Sequence, residues 1–302
     1  MPPKPAVPAP DAADPGASPT GIALMVAAVS AFACLDATAK YLARDLPVTE
    51  ITWARYTFAM VLALAVANPV SRPGMLRTRR PLLQVVRAAI LLMTTVFNFF
   101  AVRYLRLDQA LAIMFATPFV VAALSGPVLG ERVGSRRWAA IGVGFAGVLV
   151  VIRPGLGTVQ PAVMFAVLAM LCYAVFFLTT RILARHDGSD TTLFYSNLLG
   201  ALIMLPVMPF VWTTPAPGQW GLLVMAGALG SVGHFMVIAA HRHGQAALLS
   251  SFVYSQLIGV TILGFLVFGD VPDVFTLLGA AIVIASGLYM LHRERVRVRS
   301  GS

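Results

Sequence analysis

The chain has 302 residues, of which 59% are hydrophobic and 11% are charged, and its formal net charge is +10. A soluble domain carries about 25% charged residues, so this composition excludes a soluble protein of the same length. The positive charge does not indicate a nucleic-acid partner, because most of the arginines lie in short segments between long apolar runs.

The apolar runs are each near the length of about 20 residues that crosses a bilayer, so the lipid bilayer is an expected partner. Because a lipid-exposed span must satisfy its own backbone hydrogen bonds, the runs predict helices rather than strands. Residues 1–19 predict a disordered Pro- and Ala-rich tail, and residues 292–302 predict a basic tail. Between the tails we predict ten transmembrane helices, at 20–43, 49–68, 82–103, 108–129, 137–152, 161–181, 191–212, 219–240, 246–268 and 273–291.

The loops between these helices differ in charge on the two sides of the membrane. With an inside N-terminus, every inside loop carries Lys or Arg, whereas the outside loops hold only Lys40, Arg44, Arg103, Arg106 and Arg153. Positively charged loops stay in the cytoplasm. The sequence therefore predicts a multi-pass protein of the inner (plasma) membrane with both termini cytoplasmic.

The two halves of the chain resemble each other. The only two cysteines, Cys34 and Cys172, stand in similar apolar contexts, and Asn98 matches His234. We therefore predict repeats at 20–155 and 160–291. Each repeat holds five spans, an odd number, so the second repeat must be inverted relative to the first. The predicted fold is an all-α membrane protein with two inverted five-helix repeats, a design that transporters use for alternating access around a midplane site.

Several motifs together resemble the EamA branch of the drug/metabolite transporter superfamily over about residues 20 to 291. They are Asp36-Ala-Thr-Ala-Lys40, Arg55, Pro118, Gly130-Glu131-Arg132, Gly142 to Gly147, Arg153-Pro154-Gly155, Cys172-Tyr173-Ala174, Arg181, Tyr254-Ser255-Gln256-Leu257, Phe268-Gly269-Asp270 and Gly279 to Gly287. The resemblance implies ten helices in two EamA-type repeats. It does not imply one substrate, because such proteins handle amino acids, nucleotide-like cofactors, vitamins, sugars and drugs.

One group of charges lies inside the predicted spans. Asp36 is the only carboxylate well within a span, and Arg55 lies at a similar depth on the next helix. Because an isolated charge in a bilayer costs several kcal/mol, we expect the two to pair, with Lys40 one turn above Asp36 on the same face. The group could form an outer gate or a substrate anchor, or it could be a fixed ion pair that joins the first two helices.

Other polar residues lie at matching depths. His234 could bind a proton during transport or could be a neutral packing residue. Pro118 frees a backbone carbonyl one turn earlier, a device found where helices line cavities. We predict that the substrate site comprises Asp36, Trp53, Arg55, Asn98, Thr117, Tyr173, His234, Tyr254 and Gln256.

These patterns favour a secondary transporter that moves a small polar metabolite, such as an amino acid, a vitamin or a nucleotide-like compound. The phosphate-binding pattern GxxxxGK[ST] is absent, and no His pair has the spacing of metal ligands. We therefore expect no catalytic residue, no cofactor and no metal. An intramembrane enzyme and a non-transporting membrane scaffold are the alternatives.

Glycines should allow two helices to pack closely. They are concentrated at residues 142–147 and 279–287, in the fifth and tenth predicted helices. The resemblance places these helices at the periphery, where they could form a homodimer contact.

Overall fold

The computed structural model describes residues 18–66, 73–129, 134–153, 161–184, 186–243, 249 and 251–299. The predicted tail up to residue 17, Glu131 and the start of the predicted helix 246–268 lie outside this part of the chain. Within it the secondary structure is helical and contains no strand, which confirms the all-α class.

The helices follow the apolar runs of the sequence. In the first half they are α1 (Pro19–Leu42), α2 (Val48–Val66), α3 (Pro81–Tyr104), α4 (Leu107–Met114), α5 (Thr117–Leu129) and α6 (Ser135–Ile152). In the second half they are α7 (Val163–Leu183), α8 (Ser189–Met204), α9 (Met208–Val211), α10 (Pro217–Arg242), α11 (Gln256–Phe268) and α12 (Val274–Arg299). Short 3-10 turns occur at Pro73–Leu76, Leu205–Val207 and Val253–Ser255.

Among the described residues, eight helical segments are long and apolar enough to cross a membrane, so the chain is a multi-pass membrane protein. They are Pro19–Leu42, Pro81–Tyr104, Leu107–Pro127, Ser135–Ile152, Val163–Leu183, Ser189–Val211, Pro217–His241 and Val274–Arg293. The Val253–Phe268 segment is apolar but shorter.

The predicted helix 108–129 is interrupted, because α4 ends at Met114 and α5 begins at Thr117. Pro118 has no N–H to donate to the Met114 carbonyl one turn earlier. The Thr117 hydroxyl donates to that carbonyl instead, at 2.6 Å. The break therefore keeps its backbone oxygen satisfied.

A similar break precedes α11. There the chain forms the 3-10 turn Val253–Ser255, and the Ser255 hydroxyl donates to the Phe252 carbonyl at 2.6 Å. The two breaks adjoin, because the Tyr254 ring packs edge-on against the ring of Phe115 with centroids 5.0 Å apart.

Two further helices differ from the prediction. The predicted helix 191–212 is divided by a 3-10 turn at Leu205–Val207 into α8 and α9, and Pro206 and Pro209 explain the division because neither can donate a helical hydrogen bond. The α12 helix continues to Arg299 instead of ending at residue 291. Its last turns consist mainly of Arg, Glu and Val, which allow a helix to continue.

Charged residues join the loops at the end of the bundle where α1 finishes, which we call the Lys40 end. Arg153 donates to Asp273 at 2.5 Å, and Arg106 lies 2.7 Å from Asp108 and 3.5 Å from Asp273. Burial acts to raise the pKa of Asp273, but hydrogen bonds from the Thr276 N–H and from Arg153 outweigh it and hold the pKa below its ordinary value. Asp273 therefore remains an anion that joins the α3–α4, α6 and α12 segments.

The opposite end of the bundle, which we call the Asp187 end, is joined by one carboxylate. Asp187 accepts hydrogen bonds from the Arg79 N–H at 2.9 Å, from Gln84 Nε2 at 2.9 Å and from the Thr78 hydroxyl. It thus connects the segment before α3 with the segment before α8. Burial acts to raise the pKa of Asp187, but these hydrogen bonds outweigh it and hold the pKa below the ordinary value.

We expect the substitution Asp187→Asn to destabilise the protein at pH 7 and to have little effect in acid. A carboxyl group with a lowered native pKa stabilises the fold above its unfolded pKa of about 3.9, and this stabilisation is lost as the pH falls through the native value. With allowance for solvent screening, the loss at pH 7 should be about 1–2 kcal/mol. Thermal unfolding in detergent between pH 3 and pH 7 measures it. A destabilisation that is equal at both pH values would contradict the role of the charge.

Candidate functional site

Asp36 on α1 contacts α3 through a single hydrogen bond. Asn98 Nδ2 donates to Asp36 Oδ1 at 2.9 Å, and both side chains are half-buried. Arg55 lies close enough for an electrostatic interaction with Asp36, but no salt bridge joins the two in the described part of the chain. The predicted direct pairing of Asp36 with Arg55 was therefore wrong, and the amide of Asn98 is the hydrogen-bond partner.

Arg55 on α2 is buried, with 7% of its surface exposed. Its Nη1 is 3.4 Å from the Thr95 hydroxyl, a long hydrogen bond, and its guanidinium lies 4.7 Å from the centroid of the Tyr56 ring. Its Nε has no hydrogen-bond partner among the described residues. On the α10 side, a Cβ at Gly230 would come within 3.3 Å of Nε, so this glycine leaves the space beside Nε free of a side chain.

Lys40 does not belong to this group, which corrects the sequence prediction. Its Nζ donates to the Leu105 carbonyl at 2.8 Å and to Asp270 Oδ2 at 3.0 Å. The lysine is one turn closer to the helix end than Asp36, and its flexible stem reaches the loops there. Lys40 therefore joins α1 to Leu105, at the end of α3, and to Asp270, which follows α11.

Two aromatic residues of the second half lie near Asp36 and Arg55. Tyr173 on α7 interacts electrostatically with both, and His234 on α10 interacts with Arg55. The His234 ring packs edge-on against Phe32, with centroids 5.1 Å apart. We call Asp36, Arg55, Asn98, Tyr173 and His234 the central polar cluster. The two halves of the chain both contribute to it.

Trp53 has different surroundings. Its ring packs edge-on against Trp212 with centroids 6.0 Å apart, and Trp212 in turn lies 6.2 Å from Trp220. Three tryptophans near helix ends are typical of an aromatic belt at a membrane surface.

The other predicted site residues belong to the helix breaks. The hydroxyl of Thr117 donates a hydrogen bond to the Met114 carbonyl. The hydroxyl of Tyr254 lies against Gly287 of α12, where an added Cβ would collide with it. Gln256 is buried, and its side chain makes no hydrogen bond to the described residues. Of the nine predicted residues, Asp36 and Asn98 are joined by a hydrogen bond, Arg55, Tyr173 and His234 lie within electrostatic range of them or of one another, and Thr117, Tyr254 and Gln256 lie at the breaks.

Arg87 on α3 was missed by the sequence analysis, although a single arginine inside an apolar run is by itself a reason to expect a functional role. It is 6% exposed. Its Nε donates to the Thr180 hydroxyl and its Nη1 to the Ser196 hydroxyl, each at 2.7 Å. Its guanidinium lies 4.4 Å from the centroid of the Phe176 ring, and it interacts electrostatically with His234. Arg87 therefore joins α3 to α7 and α8 beside the central polar cluster.

A cavity lies away from the central polar cluster. A cavity of about 760 Å³ opens at the Asp187 end between the segments 74–79 and 186–191, and none of the nine predicted residues lines it. In the part of the chain that the structure describes, no three His, Cys, Asp or Glu residues are grouped as metal ligands.

Comparisons with known proteins agree with this architecture. Residues 19–153 and 160–291 each match the model of the EamA-like transporter family. The chain is 25% identical over 276 residues to an S-adenosylmethionine uptake transporter of Rickettsia conorii, covering 91% of this chain and 94% of the relative. It is 28% identical over 294 residues to a riboflavin transporter of Rhizobium johnstonii, covering 95% of this chain and 96% of the relative.

A solved structure supports the fold alone. A protein crystal structure that is 18% identical in sequence superposes with a TM-score of 0.65 and covers 91% of this chain and 98% of that chain. The family match and the named relatives point to a transporter of small molecules and not to an enzyme.

Proposed function

Because the chain belongs to the EamA-like transporter family, we propose that it is a secondary transporter that moves a small polar metabolite across the inner membrane by alternating access. The observation that carries this proposal is the central polar cluster. Its members come from α1, α2, α3, α7 and α10, and charged groups inside a membrane protein ordinarily mark a substrate or ion pathway.

The helix contacts support the two inverted repeats of five helices that the proposal requires. If α1, α2 and α3 are equivalent to α7, α8 and α10, the contact of α1 with α10 corresponds to that of α7 with α3. The contact of α2 with α10 then corresponds to that of α8 with α3. The breaks after α4 and before α11 would also be equivalent. Two halves that can exchange roles in this way supply two conformations that are open to opposite sides.

The substrate class follows from the relatives and from the cluster. The named relatives transport S-adenosylmethionine and riboflavin, a nucleotide-like compound and a vitamin. We therefore propose an amino acid, a vitamin or a nucleotide-like compound as the substrate. Polar and charged groups in the cluster would replace the water that such a molecule loses.

Transport by the purified protein in proteoliposomes tests the proposal. We expect time-dependent, saturable accumulation of radiolabelled S-adenosylmethionine or riboflavin, which an excess of the unlabelled compound should inhibit. Empty liposomes are the control. Saturable binding without accumulation would favour a non-transporting scaffold, and chemical change of the compound would favour an intramembrane enzyme.

The proposed orientation, with both termini in the cytoplasm, predicts which positions react with an impermeant thiol reagent. Gly218 and Gly74 are both exposed, and a Cβ at either meets nothing within 4 Å. On a Cys34→Ser, Cys172→Ser background, we expect Gly218→Cys to be labelled in intact cells and Gly74→Cys to be labelled only after lysis. The opposite labelling pattern would show that both termini lie outside the cell, and the described helix packing would stay the same.

A further inference from the structure

We propose that the transported substrate carries a carboxylate beside an ammonium or another cationic centre, and that Arg55 binds the carboxylate while Asp36 binds the cation. This inference rests on the proposed transport function and specifies its substrate. The chemical class is a compound with an α-amino acid head group.

Arg55 has hydrogen-bonding capacity that the described residues do not use. A guanidinium has five N–H donors, and the described contacts of Arg55 use one of them, in a long bond to Thr95. Its Nε is buried and has no partner among the described residues. A buried donor without a partner costs about 1–3 kcal/mol, and a carboxylate is the acceptor whose shape matches the guanidinium.

The charges of Arg55, Arg87 and Asp36 do not balance. Arg55 and Arg87 are both buried, and the hydrogen bonds of Arg87 go to the neutral hydroxyls of Thr180 and Ser196. Asp36 is the carboxylate of the cluster, and its hydrogen bond comes from the neutral amide of Asn98. Two fixed cations and one fixed anion leave an excess positive charge, and a substrate carboxylate would offset it.

Asp36 has one carboxylate oxygen that the described residues leave without a donor. Asn98 donates to its Oδ1, and its Oδ2 receives no hydrogen bond from the described residues. A half-buried carboxylate oxygen in this position can accept from an ammonium group. Asp36 and Arg55 are not joined in a salt bridge, so the second carboxylate oxygen of Asp36 and the Nε of Arg55 are both left to the two charges of a zwitterionic head group.

The compounds named for the two kinds of relative differ in this head group. S-adenosylmethionine contains an α-amino acid head group, whereas riboflavin contains neither a carboxylate nor an ammonium. The cluster therefore favours a substrate of the first kind.

The test measures binding to the full-length protein in detergent by isothermal titration calorimetry. The probes are S-adenosylmethionine, its decarboxylated form, 5′-methylthioadenosine and riboflavin. We expect decarboxylation to weaken binding at least tenfold, because the ligand then lacks the carboxylate that makes the charge-assisted hydrogen bond to Arg55. In Arg55→Gln this difference between the two forms should fall to less than threefold.

A second pair of variants keeps the charge of Arg55 and guards against a folding defect. In Gly230→Ala the new methyl group would lie 3.3 Å from Arg55 Nε and should weaken the binding of S-adenosylmethionine severalfold. Gly221→Ala is the matched control on the same helix, because a Cβ there meets nothing within 4 Å, and its binding should equal that of the unmodified protein.

The outcomes separate this inference from the transport function. Equal affinity for S-adenosylmethionine and its decarboxylated form, or saturable binding of riboflavin without binding of S-adenosylmethionine, would overturn the inference. The absence of binding by all four probes would overturn it as well. In the cases where riboflavin binds, its saturable accumulation in proteoliposomes would leave the transporter assignment intact. Tight, carboxylate-dependent binding without accumulation would instead overturn the transport function and leave the binding site in place.

Discussion

Replacing Gly279 by Val should leave little folded protein. A Cβ at Gly279 would lie 2.6 Å from the Gly147 carbonyl oxygen and 3.0 Å from the Val151 nitrogen, so the obstacle is backbone and cannot rotate away. In the other direction, a Cβ at Gly147 would lie 2.9 Å from the Gly279 carbonyl oxygen. The α6 and α12 backbones thus touch at this crossing, and a valine would force them apart.

The cost should reach about 3 kcal/mol or more, because overpacking a tight contact forces the backbone to move. The recovery of a single symmetric peak in size-exclusion chromatography and the melting temperature in detergent measure it. Gly142→Val is the matched control on α6, since a Cβ at Gly142 meets nothing within 4 Å. We expect the control to change stability by about 0.5 kcal/mol or less. Equal yields from Gly279→Val and Gly142→Val would show that the crossing is looser than described.

The sequence predicts the helices well because the bilayer imposes a strict requirement. A chain that must satisfy its backbone within each span has few alternatives to helices of about 20 residues. The break at α4–α5 also has a local cause in Pro118, because proline lacks the N–H that its turn needs. The 3-10 turn at Val253–Ser255 contains no proline, and what marks it is the packing of Tyr254 against Phe115 and Gly287 from other helices. Such tertiary causes cannot be deduced from one segment alone.

The sequence was enough to select the charged residues of the candidate site, but it was not enough to identify their hydrogen-bond partners. The depth of Asp36 and Arg55 along their helices follows from counting residues, and it is this depth that singles them out in the sequence. The choice of Asn98 as the partner depends on the contact between α1 and α3. Lys40 is on the same face as Asp36, but its side chain extends toward the loops and binds Asp270. Depth and periodicity do not give the direction in which a long side chain extends.

Asp36→Asn should reduce transport about tenfold to a hundredfold while leaving the amount of folded protein unchanged. The amide has the size of the carboxylate, and its oxygen can still accept from Asn98 Nδ2, so the contact between α1 and α3 is kept. The substitution removes the negative charge that faces Arg55. A hydrogen bond to a charged group contributes about 1.5–3 kcal/mol, and each 1.4 kcal/mol corresponds to a factor of ten in affinity.

The control for this loss is Asp45→Asn, the same chemical change at the Lys40 end. Asp45 is exposed and accepts a hydrogen bond from Gln219 Nε2 at 3.0 Å, so its removal should change the initial rate of uptake less than twofold. The measurement is the initial rate into proteoliposomes over a range of concentrations, with protein content equalised. A fixed structural role for Asp36 predicts a lower yield of folded protein with normal transport per molecule. A role in binding predicts a normal yield and a raised half-saturation concentration. Normal yield together with unchanged kinetics would remove the charge of Asp36 from the transport site and leave the buried Gln256 as the next residue to test.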